Sequence, residues 1–261
     1  MLRDTSGALA VVKARLAALA PRRGPFVDNV RNGVQDVVLV ASSSRGGSSM
    51  FSETLRHSGE LLHFQAEVNP FFLLAGLGPG VGGRTSDALP ADAAFDADVL
   101  DRELALDMGN RQIGTVDLGA WAAEVAWRLQ AQWPTLELDP DVVERCALDA
   151  VEANENGHWN SIHRGLLLRV GRVFPAVNPW YSDLSPAVLY DVGPPPVGPP
   201  GDVVLEEPPF VAVRPWRRAT AADLRRPLII KTPGNAYRLD FLVRLFPRAR
   251  VRVLHLVRNP A

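Results

Sequence analysis

The sequence predicts an α/β protein: a parallel sheet layered between helices and interrupted by a mainly helical insertion. Three observations predict this. Val37–Ala41 (VVLVA) and Leu228–Lys231 (LIIK) are short, continuous apolar runs, as expected of strands covered on both faces. Strand candidates are followed by a loop and then a helix rather than by a hairpin turn, the order that builds parallel sheets. Between residues 78 and 226 this alternation stops, and helix signals and proline-dense linkers replace it.

Taken in order, residues 1–33 read as an N-terminal helix followed by a basic connector containing Pro and Gly. The VVLVA strand runs into SSSRGGSS, and a helix follows over Ser48–Ser58. Phe51 and Leu55 share one of its faces, and Gly59 stops it. Leu61–Gln65 (LLHFQ) is the next strand, then the loop AEVNP and an apolar helix over Phe71–Leu77. In the insertion, an acidic, alanine-rich stretch to about Asp107 has no strong period. A helix over Leu118–Trp133 sets Trp121, Val125, Leu129 and Trp133 on one side and ends at Pro134. Asp139 caps another, with Pro140 in its first turn; Val143, Cys146, Ala150 and Asn154 follow one side, and Gly157 closes it. Residues 193–202 (GPPPVGPPGD) form a linker. The sheet pattern resumes with LIIK, a helix over Asn235–Phe246 carrying Leu239, Leu242, Val243 and Phe246, and a strand over Val251–Val257. The expected organisation is therefore 1–33 as helix and connector, 34–77 with 227–261 as the α/β core, and 78–226 as the insertion.

A chain of 261 residues with 47% hydrophobic content can bury one domain with a large insertion. Its net charge of −1 argues against broad electrostatic binding to nucleic acid or a membrane surface. The lone Cys146 excludes an intrachain disulfide framework and fits a reducing compartment. Lys13 and Arg15 interrupt the apolar stretch Gly7–Ala20, so no signal peptide or membrane span is read there. A soluble, cytoplasmic protein is expected. Of 28 basic residues only Lys13 and Lys231 are lysines, a bias that suggests a GC-rich bacterial genome.

The loop SRGGSS carries the chemistry. A Gly/Ser-rich turn between a strand and a helix can cradle an anion. Glycines let the backbone approach closely, first-turn N–H groups point outward, and the helix dipole adds attraction. Arg45 contributes a planar cation, Gly46 and Gly47 the turn, and Ser48 and Ser49 hydroxyl donors. An ordinary strand–helix turn with a surface arginine is the plainer alternative. A kinase is another, but the Walker pattern needs lysine where this chain has Ser48, so magnesium-dependent phosphoryl transfer is disfavoured.

SSSRGGSSMFSETL resembles the 5′-phosphosulfate loop of sulfotransferases that use 3′-phosphoadenosine 5′-phosphosulfate (PAPS). PLIIKTP and LVRLFPRARVRVLHLVRNP are similar to that family's lysine-bearing strand, amphipathic helix and strand ending in RNP. The two segments cover about residues 35–72 and 226–261. The resemblance implies a three-layer P-loop-type fold with PAPS as co-substrate and no metal. It implies that Arg45, Gly46, Gly47, Ser48 and Ser49 hold the 5′ end of PAPS and that Arg258 binds its 3′-phosphate. It further implies Glu67 as general base and Lys231 as stabiliser of the transferring sulfuryl group. The acceptor would be a hydroxyl or amine on a small molecule or peptide, with the insertion on the acceptor side.

Bland readings stand beside these. Glu67 could cap the following helix, Lys231 could solvate a strand end, and His63 is the alternative base. His57 reads as a solvated helix residue. Trp121 and Trp133 read as core, Arg214, Arg217 and Arg218 as a solvated basic turn, and Glu155 with His158 as a helix end rather than a metal site. The family pattern continues beyond RNP with a further 3′-phosphate serine and a covering helix. A fragment of a longer protein is thus expected, or a degenerate product. Two alternatives follow: a non-catalytic nucleotide-binding protein with an incomplete 3′-phosphate site, and, more weakly, a P-loop kinase.

Overall fold

The computed structural model of the chain describes residues 6–42, 47–65, 67–78, 86–112, 114–154, 157–177, 205 and 214–257. The VVLVA run becomes β1 (Asp36–Ser42), in which Val37, Leu39, Val40 and Ala41 are at most 4% exposed. Burial of successive residues requires cover on both faces, and backbone groups buried this deeply need partners on both edges. β5 (Leu228–Lys231) and β6 (Arg250–Leu256) supply them, both parallel to β1. Val40 stands opposite Lys231 on one side, and Ser42 opposite Leu256 on the other. β2 (Leu62–Phe64) adds to the outer edge of β5, again parallel.

Beyond β2 the direction changes. β3 (Met108–Asn110) pairs antiparallel with β2, and β4 (Arg217–Arg218) antiparallel with β3. The six-stranded order is β4-β3-β2-β5-β1-β6. The sheet is therefore mixed, which corrects the expectation of a parallel one; parallel pairing holds for β2, β5, β1 and β6. Both antiparallel strands come from residues 78–226, read from sequence as a helical insertion. At three and two residues they are too short to show an alternating pattern. Gly109 permits their pairing, because a Cβ there would lie 2.3 Å from the Arg217 carbonyl oxygen.

The chain divides into two compact units. The α/β unit takes Pro25–Val116 and Trp216–Ala261, and so includes segments on either side of the expected core boundaries. Its helices are α2 (Val30–Gly33), α3 (Ser48–Leu55), α4 (Asn69–Leu74), α5 (Ala97–Asp107) and α9 (Leu239–Leu245). Phe241 of α9 meets Phe72 and Phe95 edge-on, with centroids 5.8 and 5.7 Å apart, and is 1% exposed. The expected stripe on α9 holds at Leu242 and Phe246 but not at Val243, which is 46% exposed. A 3₁₀ turn at Pro233–Tyr237 precedes α9, so the α-helical phase starts later than the sequence pattern suggested. On β6, Val253, Leu254 and Val257 just beyond it are 49%, 37% and 78% exposed.

The helical unit takes Arg3–Gly24 and Asp117–Pro215, so the N-terminal helix belongs with the insertion helices. It contains α1 (Ser6–Leu19), α6 (Leu118–Gln132), α7 (Pro140–Glu152) and α8 (Trp159–Val173). Asp117 and Asp139 cap α6 and α7 through their side chains. Trp121, Trp127 and Trp133 are all buried in this unit. Arg23, in the 3₁₀ turn after α1, forms a two-pronged ion pair with Glu124 of α6 at 2.9 and 3.0 Å, with both side chains 1% exposed. Its guanidinium also lies 4.3 Å over the Trp127 ring.

A buried pair whose removal strands one charge is costly, whereas replacing both members with apolar groups can be neutral. Glu124→Ala should therefore lower the unfolding free energy by about 3–5 kcal/mol. The double variant Arg23→Met/Glu124→Leu should recover most of the loss. Urea unfolding followed by far-UV circular dichroism measures both.

Candidate functional site

β1 lies between strands reached by crossovers in opposite directions. The chain leaves β1 through α3 for β2, beyond β5, and later crosses from β5 to β6 on the far side of β1. At such a reversal the loops diverge at the carboxyl edge and leave a crevice, the usual ligand position in open α/β sheets. β1 ends there at Ser42, and α3 starts after Gly47. Gly47 starts α3 with φ +87°, a left-handed conformation that favours glycine, and a Cβ there would meet no atom within 4 Å. Glycine is thus required by backbone geometry rather than by crowding. The first helical bond of α3 runs from Phe51 N–H to Gly47 C=O at 3.2 Å, so the N–H groups of Ser48, Ser49 and Met50 precede the intrahelical ladder. Ser48 is buried and Ser49 exposed.

Side chains from α3 and from the residues that follow β2 and β3 are braced around the same edge. Arg111 joins Glu53 of α3 at 2.8 Å and Gln65 after β2 at 3.0 Å. Arg56, immediately after α3, donates to Phe64 C=O at 2.9 Å. These contacts tie α3 to the end of β2.

The carboxyl ends of β2 and β5 carry the two predicted catalytic residues. Lys231 Nζ donates to Glu67 Oε1 at 2.8 Å, joining residues 164 apart in sequence, with side-chain exposures of 11% and 37%. Glu67 does not cap α4, whose N-cap Val68 makes no side-chain capping bond. Two further contacts stitch the same turns. Val68 N–H donates to Thr232 Oγ1 at 3.5 Å, and Arg238 Nη2 donates to Asn69 Oδ1 at 2.5 Å. Thr232 Oγ1 in turn donates to Lys231 C=O at 2.8 Å, and Asn235 Nδ2 to Ile230 C=O at 3.1 Å. The pair thus sets a carboxylate able to accept a proton beside an ammonium able to meet negative charge, on backbone braced on either side.

Of the predicted residues, Gly47, Ser48, Ser49, Glu67 and Lys231 come to the carboxyl edge. Arg45, Gly46 and Arg258 lie outside the described residues. The ends of the strands that lead to them are adjacent, since Ser42 pairs with Leu256. His63 sits within β2, 2% exposed, with neither ring nitrogen hydrogen-bonded and the Leu55 backbone close by. Burial, aided by Arg56 and Arg111, pushes its pKa down to about 3. It is a packed strand residue. His57 is exposed, with Nδ1 2.9 Å from Glu53 C=O.

Arg217 pairs with Asp223 at 2.8 Å, and Arg218 donates to Leu106 C=O at 3.0 Å, so both are spent within the α/β unit. His158 precedes α8, while Glu155 lies outside the described residues. Among the described residues no group of three or more His, Cys, Asp or Glu could hold a metal, and no helix is long and apolar enough to cross a membrane. Thr232, Asn69, Arg238 and Arg111 were missed in the sequence. The run KTPGNAYR held a weak signal, since its polar residues follow a strand end directly.

The environment of His63 has a measurable consequence. Between about pH 6.5 and 3 the unfolded chain binds a proton at this residue that the folded one does not, so its contribution to stability falls as pH falls. The slope is at most about 1.4 kcal/mol per pH unit. His63→Leu should flatten the acid side of the stability–pH curve relative to wild type, as read from urea midpoints at pH 7, 5.5 and 4. Comparison of the chain with protein-family models, curated proteins and solved structures finds no match.

Proposed function

We propose that the chain is a P-loop-type sulfotransferase that moves the sulfuryl group of PAPS to a hydroxyl or amine acceptor. One observation carries the reading: a carboxylate just after one parallel strand and an ammonium at the end of its neighbour, Glu67 and Lys231, meet at 2.8 Å on the sheet edge where the glycine-initiated α3 begins. An acid–base group beside a cation, next to a helix start suited to an anion, is the equipment for in-line transfer of an anionic group.

In this reading Gly47, Ser48 and Ser49, with Arg45 and Gly46, hold the 5′-phosphosulfate end, and Arg258 holds the 3′-phosphate. Glu67 takes the proton from the acceptor as its lone pair bonds to sulfur. The sulfur–oxygen bond to the 5′-phosphate breaks, and that electron pair leaves with adenosine 3′,5′-bisphosphate. Lys231 turns from Glu67 toward the sulfuryl oxygens and meets the charge that develops there. The strand order supports the fold assignment, because β1 stands between β5 and β6 with its following loop at the reversal point.

Calorimetry should give tighter binding of adenosine 3′,5′-bisphosphate than of ADP; the reverse order would favour a kinase. Glu67→Gln should abolish transfer from PAPS while leaving bisphosphate affinity within about twofold, and Lys231→Met should lower kcat by roughly 10²–10³. Bisphosphate binding without transfer in the unaltered chain would favour the non-catalytic alternative.

A further inference from the structure

Arg238 is 2% exposed and sits where a cation is poorly tolerated. It immediately precedes α9, whose amino end carries the positive pole of the helix dipole. Among the described residues it makes no ion pair. Its Nη2 donates to the neutral amide of Asn69, its guanidinium carbon lies 4.9 Å over the Phe72 ring, and its Nε has no hydrogen-bond partner. Burial pushes its pKa below the ordinary arginine value, while the charges of Asp87 and Glu67 oppose that shift. Arg23, the comparably buried arginine of the helical unit, has a carboxylate in two-pronged contact. A buried guanidinium without a directly bonded carboxylate is destabilising, so its presence calls for a purpose in the site.

The surrounding chain is arranged to admit it. Gly234 lies against the guanidinium, and a Cβ there would sit 2.7 Å from Nη2 and 3.2 Å from Cζ. Asn69 is two residues after Glu67, and Arg238 is seven residues after Lys231 on the turn that also supplies Thr232 to Val68. Thus the guanidinium bridges the turn bearing the carboxylate and the turn bearing the ammonium.

We propose that Arg238 is a positioning residue for Glu67: it clamps the two turns together and leaves a fixed positive charge near the carboxylate when Lys231 swings to the sulfuryl group. The second half of this inference rests on the sulfotransferase reading; the first does not. Glu67 faces Lys231 in direct contact and Arg238 at longer range, and Asp87 is the acidic group that opposes Arg238. Loss of a nearby cation raises a carboxyl pKa, so the acid limb of Glu67-dependent activity should move to higher pH.

The test is a ¹³C-carboxyl NMR titration of Glu67 in wild type, Arg238→Lys, Arg238→Met and Gly234→Ala, with folding checked by circular dichroism. In Arg238→Met the Glu67 midpoint should move to higher pH than in wild type. Arg238→Lys, which keeps the charge, should stay near wild type. Gly234→Ala, which keeps the arginine but displaces its guanidinium, should fall between them. In a PAPS assay Arg238→Met should lower kcat about tenfold with little change in KM, and its acid limb should shift with the NMR midpoint. A Glu67 midpoint unchanged in both Arg238→Met and Gly234→Ala overturns the proposal. Should Arg238→Met fail to fold, Gly234→Ala decides alone. Calorimetry with adenosine 3′,5′-bisphosphate on wild type separates the two readings: no binding there defeats the sulfotransferase assignment, while the NMR series still judges the clamp.

Discussion

Parallel pairing of β1 on both of its edges is the constraint from which the α/β unit follows. A strand buried on both faces and both edges has no freedom of register, because a slip of one residue would misalign every backbone bond with β5 and β6. All four parallel strands then end at the same edge, and whatever follows each of them is delivered there. Gly47 follows β1, Glu67 follows β2, and Lys231 ends β5. Residues more than 160 apart in sequence become neighbours through this alignment, without any local signal linking them.

Charge at that edge is arranged unevenly. Glu67 and Lys231 neutralise each other directly, whereas Arg238 rests on an amide and an aromatic face. The carboxyl edge thus carries one directly paired cation, Lys231, and one, Arg238, that feels the charges of Asp87 and Glu67 without a bonded carboxylate. The helical unit handles burial differently. There Arg23 and Glu124 pair directly through two hydrogen bonds within a tryptophan-rich core, so the same residue types serve packing rather than chemistry. The contrast lies in pairing, not in composition.

Local grammar was legible wherever a single residue dictates backbone geometry. Asp139 and Pro140 start α7 as their chemistry demands, and LIIK is β5 at its expected bounds. Elsewhere the signal was present but diluted. Asp96 caps α5 through Val99 N–H, and Leu100 and Leu104 are both buried, yet the charged residues between them and the alanines around the helix flattened the period. β3 and β4 left no such trace, because strands this short are defined by their partners. The pairing of α1 with the insertion helices was equally hidden. Nothing in residues 6–19 names the surface they cover.

By itself the sequence determined the element types that flank the candidate site, the glycine at the start of α3, and the residues, Glu67 and Lys231, whose chemistry suits group transfer. The element types and the glycine follow from short-range rules of backbone conformation and hydrophobic run length, whereas Glu67 and Lys231 were singled out by the resemblance of their segments to a known family. Only the tertiary structure decided that Glu67 and Lys231 touch, that His63 is locked away from proton chemistry, and that Arg238 is buried between the two turns. Those outcomes depend on strand register and on which charges lose their water, and both are set by contacts between segments far apart in the chain.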